Sequence, residues 1–226
     1  LVYKNSKLYV GSDGGIFVAN NPTTVNSNYY TDLTNGIGVR QFYKIGVSQT
    51  NPEIITGGSQ DNGTSVFTNT GVWKDWLGAD GMESFVDKDN SNYLYGTSQY
   101  GKLYVSTDGG NTRSIIQTPE GKSGNWVTPF EQDPLTTNIL YGGYDKVYKG
   151  TFSLLFGFFP NVNWTAISQD FGTNLNHLKI APSDNSIMYA AEGSNLYKTV
   201  NGGATDWTAV TGFSGNVNSI AIHPTN

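Results

Sequence analysis

The side chains able to do chemistry in this sequence are few, and several of them stand next to glycine. Asp13 precedes Gly14-Gly15, Asp61 precedes Asn62-Gly63 and Asp80 precedes Gly81. Two carboxyls held about 6.5–9.5 Å apart, one with a raised pKa, are what inverting cleavage of a glycosidic bond requires. Aspartate before glycine is also what a tight turn prefers, because its side chain accepts hydrogen bonds from the turn backbone. The turn reading is the plainer one for all three. Arg40 and Glu83 are candidates for ligand contact, since a salt bridge on an exposed rim would stabilise by only about 0–1 kcal/mol. Gln60 adds a neutral polar group. Trp126 offers a face for stacking and His177 an imidazole, although both residue types also suit simple packing. The chain has no cysteine, which excludes disulfides, thiolate metal sites and cysteine nucleophiles. Residues 87–92 space oxygen ligands as a calcium loop does, but the sixth position is not glycine and the twelfth is not glutamate, so a hairpin is expected. No cofactor and no metal site is predicted.

The elements that position these residues recur. An alternating strand ends in a Pro or Asp-Asn turn at residues 42–47, 84–86, 127–130, 177–180 and 219–222. A short strand with a small-residue step follows at residues 55–57, 94–96, 140–142 and 188–190. A third strand lies at 16–18, 66–67, 103–105, 147–148 and 196–197, and a fourth at 73–76, 114–116, 164–167 and 207–210. Four short strands roughly every 45 residues, with no helical period between them, describe the blade of an all-β fold, a β-propeller of four-stranded antiparallel blades. About five blades' worth of chain is present, with approximate limits 1–38, 39–81, 82–124, 125–173 and 174–215. Residues 216–226 would supply the first strand of a further or closing blade. The chain is expected to begin at a second strand, residues 7–10, so either a closed five-bladed ring or part of a larger one is possible.

The segment Ser106-Thr107-Asp108-Gly109-Gly110-Asn111-Thr112 fits the Asp-box pattern S-x-D-G-G-x-T-W, with Arg113 where tryptophan is usual, and residues 199–207 form a degenerate copy. The chain therefore resembles the Asp-box propellers, a group that includes sialidases, sortilin-type receptors and family-74 xyloglucan hydrolases. The strings QFYKIG (41–46), GGSQDNGT (57–64), GADGME (78–83) and STDGG (106–110) look most like secreted or cell-surface bacterial propellers, many of which carry a type IX secretion signal. That resemblance implies a secreted or surface location. A sialidase is excluded, because that family grips its substrate with three arginines and only Arg40 and Arg113 exist here. In the xyloglucan hydrolases a catalytic aspartate occupies a T-D-I-G-G turn. Asp13 stands in a similar turn one residue short, so Asp13 with Asp61 or Asp80 is the pair to test. Five blades and no cysteine-rich module argue against a sortilin-type receptor.

In such a propeller one face would gather Asp13, Gln60, Asp61, Asp145 and Glu192 from hairpins, and Arg40, Asp80, Glu83, Trp126 and His177 from inter-blade loops. This is a rim suited to a glycan or protein ligand. Net charge is −5 with only 14% charged residues, so neither nucleic acid nor membrane insertion is expected. The run Leu154-Leu155-Phe156-Gly157-Phe158-Phe159 stands where the outer turn of its blade should be; it is expected to fold against its own blade, with docking of another domain or of a secretion or surface-attachment partner as the alternative. The expectation is a non-catalytic binding or scaffold propeller of a larger protein, with glycoside hydrolysis as the alternative.

Overall fold

In the computed structural model of the chain, the recurring strand signals form five antiparallel four-stranded sheets, each an up-and-down meander. The structure describes every residue except Asp13, Val39 and Asn226. Contacts divide the chain into two units, Leu1–Gln41 and Phe42–Asn226.

The first unit is one sheet, β1 (Val2–Lys4), β2 (Lys7–Ser12), β3 (Gly15–Ala19) and β4 (Thr31–Asp32), in sequence order. Asn5 and Ser6 turn β1 into β2 with φ of 51° and 59°, the paired left-handed geometry of a two-residue hairpin. Val2–Lys4 is thus already an inner strand, and the expectation that the chain opens on a second strand is corrected.

The second unit carries four blades. They are β5–β8 (Lys44–Val47, Ile55–Ser59, Gly63–Phe67, Trp73–Leu77) and β9–β12 (Ser84–Val86, Leu94–Ser98, Lys102–Ser106, Ser114–Ile116). The others are β13–β16 (Phe130–Gln132, Ile139–Gly143, Val147–Leu155, Phe159–Ala166) and β17–β20 (His177–Ala181, Asp184–Glu192, Asn195–Thr199, Thr208–Ala209). A blade has two apolar faces, so its core lies against its neighbours. Val66, Trp76 and Leu77 of one blade meet Val86 and Leu94 of the next. Tyr95, Leu103, Val105 and Ile116 then meet Phe130, Leu140, Phe152 and Val162. Tyr141 and Val147 meet Leu178, Ile180, Met188 and Trp207. Each fully buried aliphatic or aromatic side chain contributes roughly 1.5–3 kcal/mol.

The small-residue step has a steric cause. A Cβ on Gly96 would come within 3.0 Å of the Trp76 ring, and one on Gly46 would stand 2.5 Å from the Phe85 Cα of the adjacent inner strand. Polar clasps join the same blades. Thr56 Oγ1 lies 2.7 Å from Ser84 Oγ and accepts the Trp76 indole N–H. Asp87 and Asp133, each closing the turn after an inner strand, accept hydrogen bonds from Gln132 and Asn185 of the following blade.

Two further expectations change. Residues 219–222 form no strand and join no sheet of their own unit. The apolar run 154–159 is not a compact outer turn but the end of a long hairpin, β15 pairing with β16 out to Leu155 and Phe159. Phe152 is buried and Leu154 packs on the core beside it, while Phe156 and Phe158 are 87% and 65% exposed. No helix among the described residues is long and apolar enough to cross a membrane.

Candidate ligand-binding site

The inner strands of the second unit bring loops together that are distant in sequence. Tyr43, immediately before β5, is held by its N–H to the Gly58 carbonyl at 2.8 Å. Its hydroxyl donates to Gln60 Oε1 and accepts the Trp126 indole N–H at 3.3 Å. Trp126 is fixed from the other side by Tyr100. The Tyr100 N–H donates to the Trp126 carbonyl at 3.3 Å, and their rings meet edge to face at 5.3 Å. Tyr100 has a φ of 61°, a left-handed conformation that a tyrosine adopts only when its surroundings enforce it. Three rings that would normally be buried therefore remain exposed side by side: Tyr43 at 38%, Trp126 at 37% and Tyr100 at 51%.

Beside them opens a cavity of about 400 Å3 lined by Tyr43, Lys44, Asn125, Trp126, His177 and Val217, among others. Its polar wall is pre-set. The Asn125 amide donates to the carbonyls of Asn174 (3.0 Å) and Leu175 (3.3 Å) and to Asn176 Oδ1, tying the Trp126 loop to the next blade. Val217 N–H donates to the Gly193 carbonyl at 2.7 Å. Burial and the positive charges of Lys44 and Lys179 hold His177 below the ordinary imidazole range, against a hydrogen bond to the Val217 backbone that works the other way. His177 is therefore neutral at pH 7.

Glu83 lies deeper, largely buried, with Lys44 Nζ at 3.5 Å as its ion partner. Burial raises its carboxyl to about 7, and Glu131 adds to the rise while Lys44 and Lys179 oppose it. Glu131 itself pairs with Lys179.

The other described candidates of this unit do not line the cavity. Asp80 Oδ1 accepts the Asp61 N–H at 2.7 Å and its Oδ2 accepts the Gln99 amide, so this carboxylate braces the β6–β7 hairpin against the next blade. Asp61 sits at a φ of 61° at the tip of that hairpin. Arg40 is half-buried in the first unit, and Asp13 lies outside the described residues. Asp145 holds Lys122 Nζ at 2.6 Å. Among the described residues no three His, Asp or Glu side chains are grouped to hold a metal ion.

The structure thus joins Gln60, Trp126 and His177, with Glu83 beneath, and adds Tyr43, Lys44, Tyr100, Asn125 and Asn176. Sequence reasoning missed these five. Tyr43 carried a signal, since it precedes the first strand of its blade, the position from which the cavity is lined. The Ser106–Thr112 turn lies apart from the cavity linings. There Asp108 accepts the N–H groups of Asn111 and Thr112 at 3.0 and 2.9 Å. Burial would raise its carboxyl, but hydrogen bonds from Thr112, Ser106 and Asn111 outweigh it and hold it at about 2.

No protein-family model matches the chain, and no curated protein matches it in sequence. Solved structures do resemble it. An ancestral GH74 enzyme superposes with a TM-score of 0.62 at 20% identity, over 93% of this chain and 30% of that one. The GH74 xyloglucanase from Xanthomonas campestris gives 0.55 at 16%, over 91% of this chain and 36% of that one. YCF48 from Cyanidioschyzon merolae gives 0.58 at 14%, over 81% of this chain and 60% of that one. At these identities the likeness establishes the fold, a β-propeller of four-stranded antiparallel blades. The chain spans about a third of the two GH74 enzymes.

Proposed function

We propose that this propeller is a carbohydrate-binding module of a secreted or cell-surface protein, and that it binds without cleaving. The observation that carries the reading is the exposed trio of Tyr43, Trp126 and Tyr100 beside a cavity with an amide-rich wall. Sugar rings present apolar C–H faces bounded by hydroxyls, and rigid aromatic faces flanked by fixed amides complement both. The trio is also locked before any ligand arrives, by the Trp126–Tyr43–Gln60 hydrogen bonds and the Tyr100 ring, so little ordering cost remains on binding. The secreted location follows the resemblance of segments 41–46, 57–64, 78–83 and 106–110 to secreted bacterial propellers.

Non-catalytic binding agrees with the use of Asp80. Asp80 is engaged through both oxygens in bracing a hairpin, an arrangement suited to a turn rather than to proton transfer. The test is an oligosaccharide array followed by product analysis. Binding without released sugar is expected. Trp126→Ala should weaken it by about 2 kcal/mol, roughly 30-fold, as for other central aromatic anchors. Its melting temperature should stay close to that of the parent. Cleavage that disappears in Asp80→Asn would overturn the proposal in favour of hydrolysis.

A further inference from the structure

The mouth cavity shares Lys44, Asn176 and His177 with a smaller cavity of about 50 Å3. That space exceeds the ~30 Å3 share of one water in the liquid and suits one small polar group. Charged and titratable side chains reach it from every inner strand of the unit: Lys44 from β5, Glu83 from the entry to β9, Glu131 from β13, and His177 and Lys179 from β17. The Tyr43 phenol stands at the mouth. The segment 217–220 closing the cavities contributes Val217, Asn218, Ser219 and Ile220, none of them charged.

The two lysines are not equivalent. The Lys179 ammonium is taken up by Glu131. Lys44 reaches Glu83 only at 3.5 Å, and its side chain is 41% exposed, whereas that of Glu83 is 12% exposed. Burial raises Glu83 to about 7, so near neutrality the carboxyl opposite Lys44 is ionised only part of the time. His177 is neutral. When Glu83 holds its proton, the floor of the site keeps one ammonium without an anionic partner, in a protein whose net charge is −5.

We propose that the ligand of this site is a carboxylated sugar, a uronate, whose ring lies against Trp126 and whose carboxylate enters the smaller cavity to pair with Lys44. This rests on the carbohydrate-binding reading above and names the substrate class. A ligand carboxylate replaces that of Glu83 as the partner of Lys44, and Glu83 takes up a proton as it does so. The affinity for an acidic sugar therefore rises as pH falls through the Glu83 value, and the affinity for a neutral sugar does not.

The experiment is titration calorimetry on the full chain with two probes, a galacturonic acid trisaccharide and a neutral glucose trisaccharide, at about pH 5.5 and about pH 8.5, either side of the Glu83 value. The acidic probe should bind about tenfold tighter at the lower pH, with proton uptake on binding above the Glu83 value and almost none at about pH 5.5, where Glu83 already holds its proton, and the neutral probe should show no such difference. Lys44→Met should bring the acidic probe down to the level of the neutral one, Lys44→Arg should retain the preference, and Glu83→Gln should abolish the pH dependence. Equal binding of the two probes, unchanged in Lys44→Met, would overturn the uronate assignment and leave carbohydrate binding intact. Binding of neither probe, nor of any sugar on the array, would overturn both. Binding of a short acidic peptide in place of both sugars would assign the lysine floor to a protein ligand and overturn the sugar.

Discussion

Glu83 shows how position in the fold changes what one side chain can do. An exposed glutamate is ionised above about pH 4.3, but burial beside the smaller cavity raises this one to about 7. The folded protein therefore retains a proton that the unfolded chain releases between about pH 4.5 and pH 7, and stability falls as pH rises across that window. Complete ionisation costs the fold on the order of 3 kcal/mol. Glu83→Gln removes this dependence. Urea midpoints of parent and variant should lie close together near pH 5 and diverge by pH 8, with the variant more stable. Parallel profiles across the window would contradict the assignment. Asp108 has the opposite sign. Hydrogen bonds keep it ionised down to about 2, so its stabilising contribution is present above pH 4 and fades as pH falls toward 2.

At the scale of the element, the β15–β16 hairpin separates packing from exposure within a few residues. Phe152 is 4% exposed and stacks edge to face on Tyr95 of the preceding blade at 5.6 Å, while Phe156 and Phe158 at the tip face solvent. Phe152→Ala should cost about 3–5 kcal/mol, and Phe156→Ser with Phe158→Ser should change stability by no more than about 0.5 kcal/mol. Denaturant unfolding of the three variants measures both. A large loss from the tip substitutions would show that the tip is part of the core.

Most strands were legible because their constraint is local. A small residue must face the neighbouring tryptophan, as Gly96 faces Trp76, and an aromatic must fill each gap between blades. Val2–Lys4 and Thr31–Asp32 were not legible, being short and without buried side chains, so they leave no apolar pattern. The hairpin misled for the opposite reason. Pairing out to Phe159 extends the strands, whereas an unbroken run of apolar residues carries no strand period.

For the whole molecule, the difficulty lies in which loops meet. Trp126 and His177 could be read as candidates because each sits beside an inner strand. Lys44 and Tyr100 gain their meaning from neighbours that only the blade arrangement supplies. Trp126 reaches Tyr43 across 83 residues of sequence. Of the carboxylates beside glycine, which read most plainly as turn residues, Asp80 holds a hairpin. Low overall charge also has a different sense at this scale. A chain of net −5 sets two lysines around one small cavity and offsets them with one firmly paired glutamate and one that is ionised only part of the time. The concentration of opposed charges in a space of about 50 Å3 is a property of the assembled blades and of no single repeat.

The most direct test is a crystal structure of the protein with a bound oligosaccharide from the array. A sugar ring is expected against the face of Trp126, in the cavity between Tyr43 and His177, with any carboxylate directed to Lys44. A ligand seated instead at the Ser106–Thr112 turn or on the 154–159 hairpin, with the Trp126 cavity empty, would contradict it.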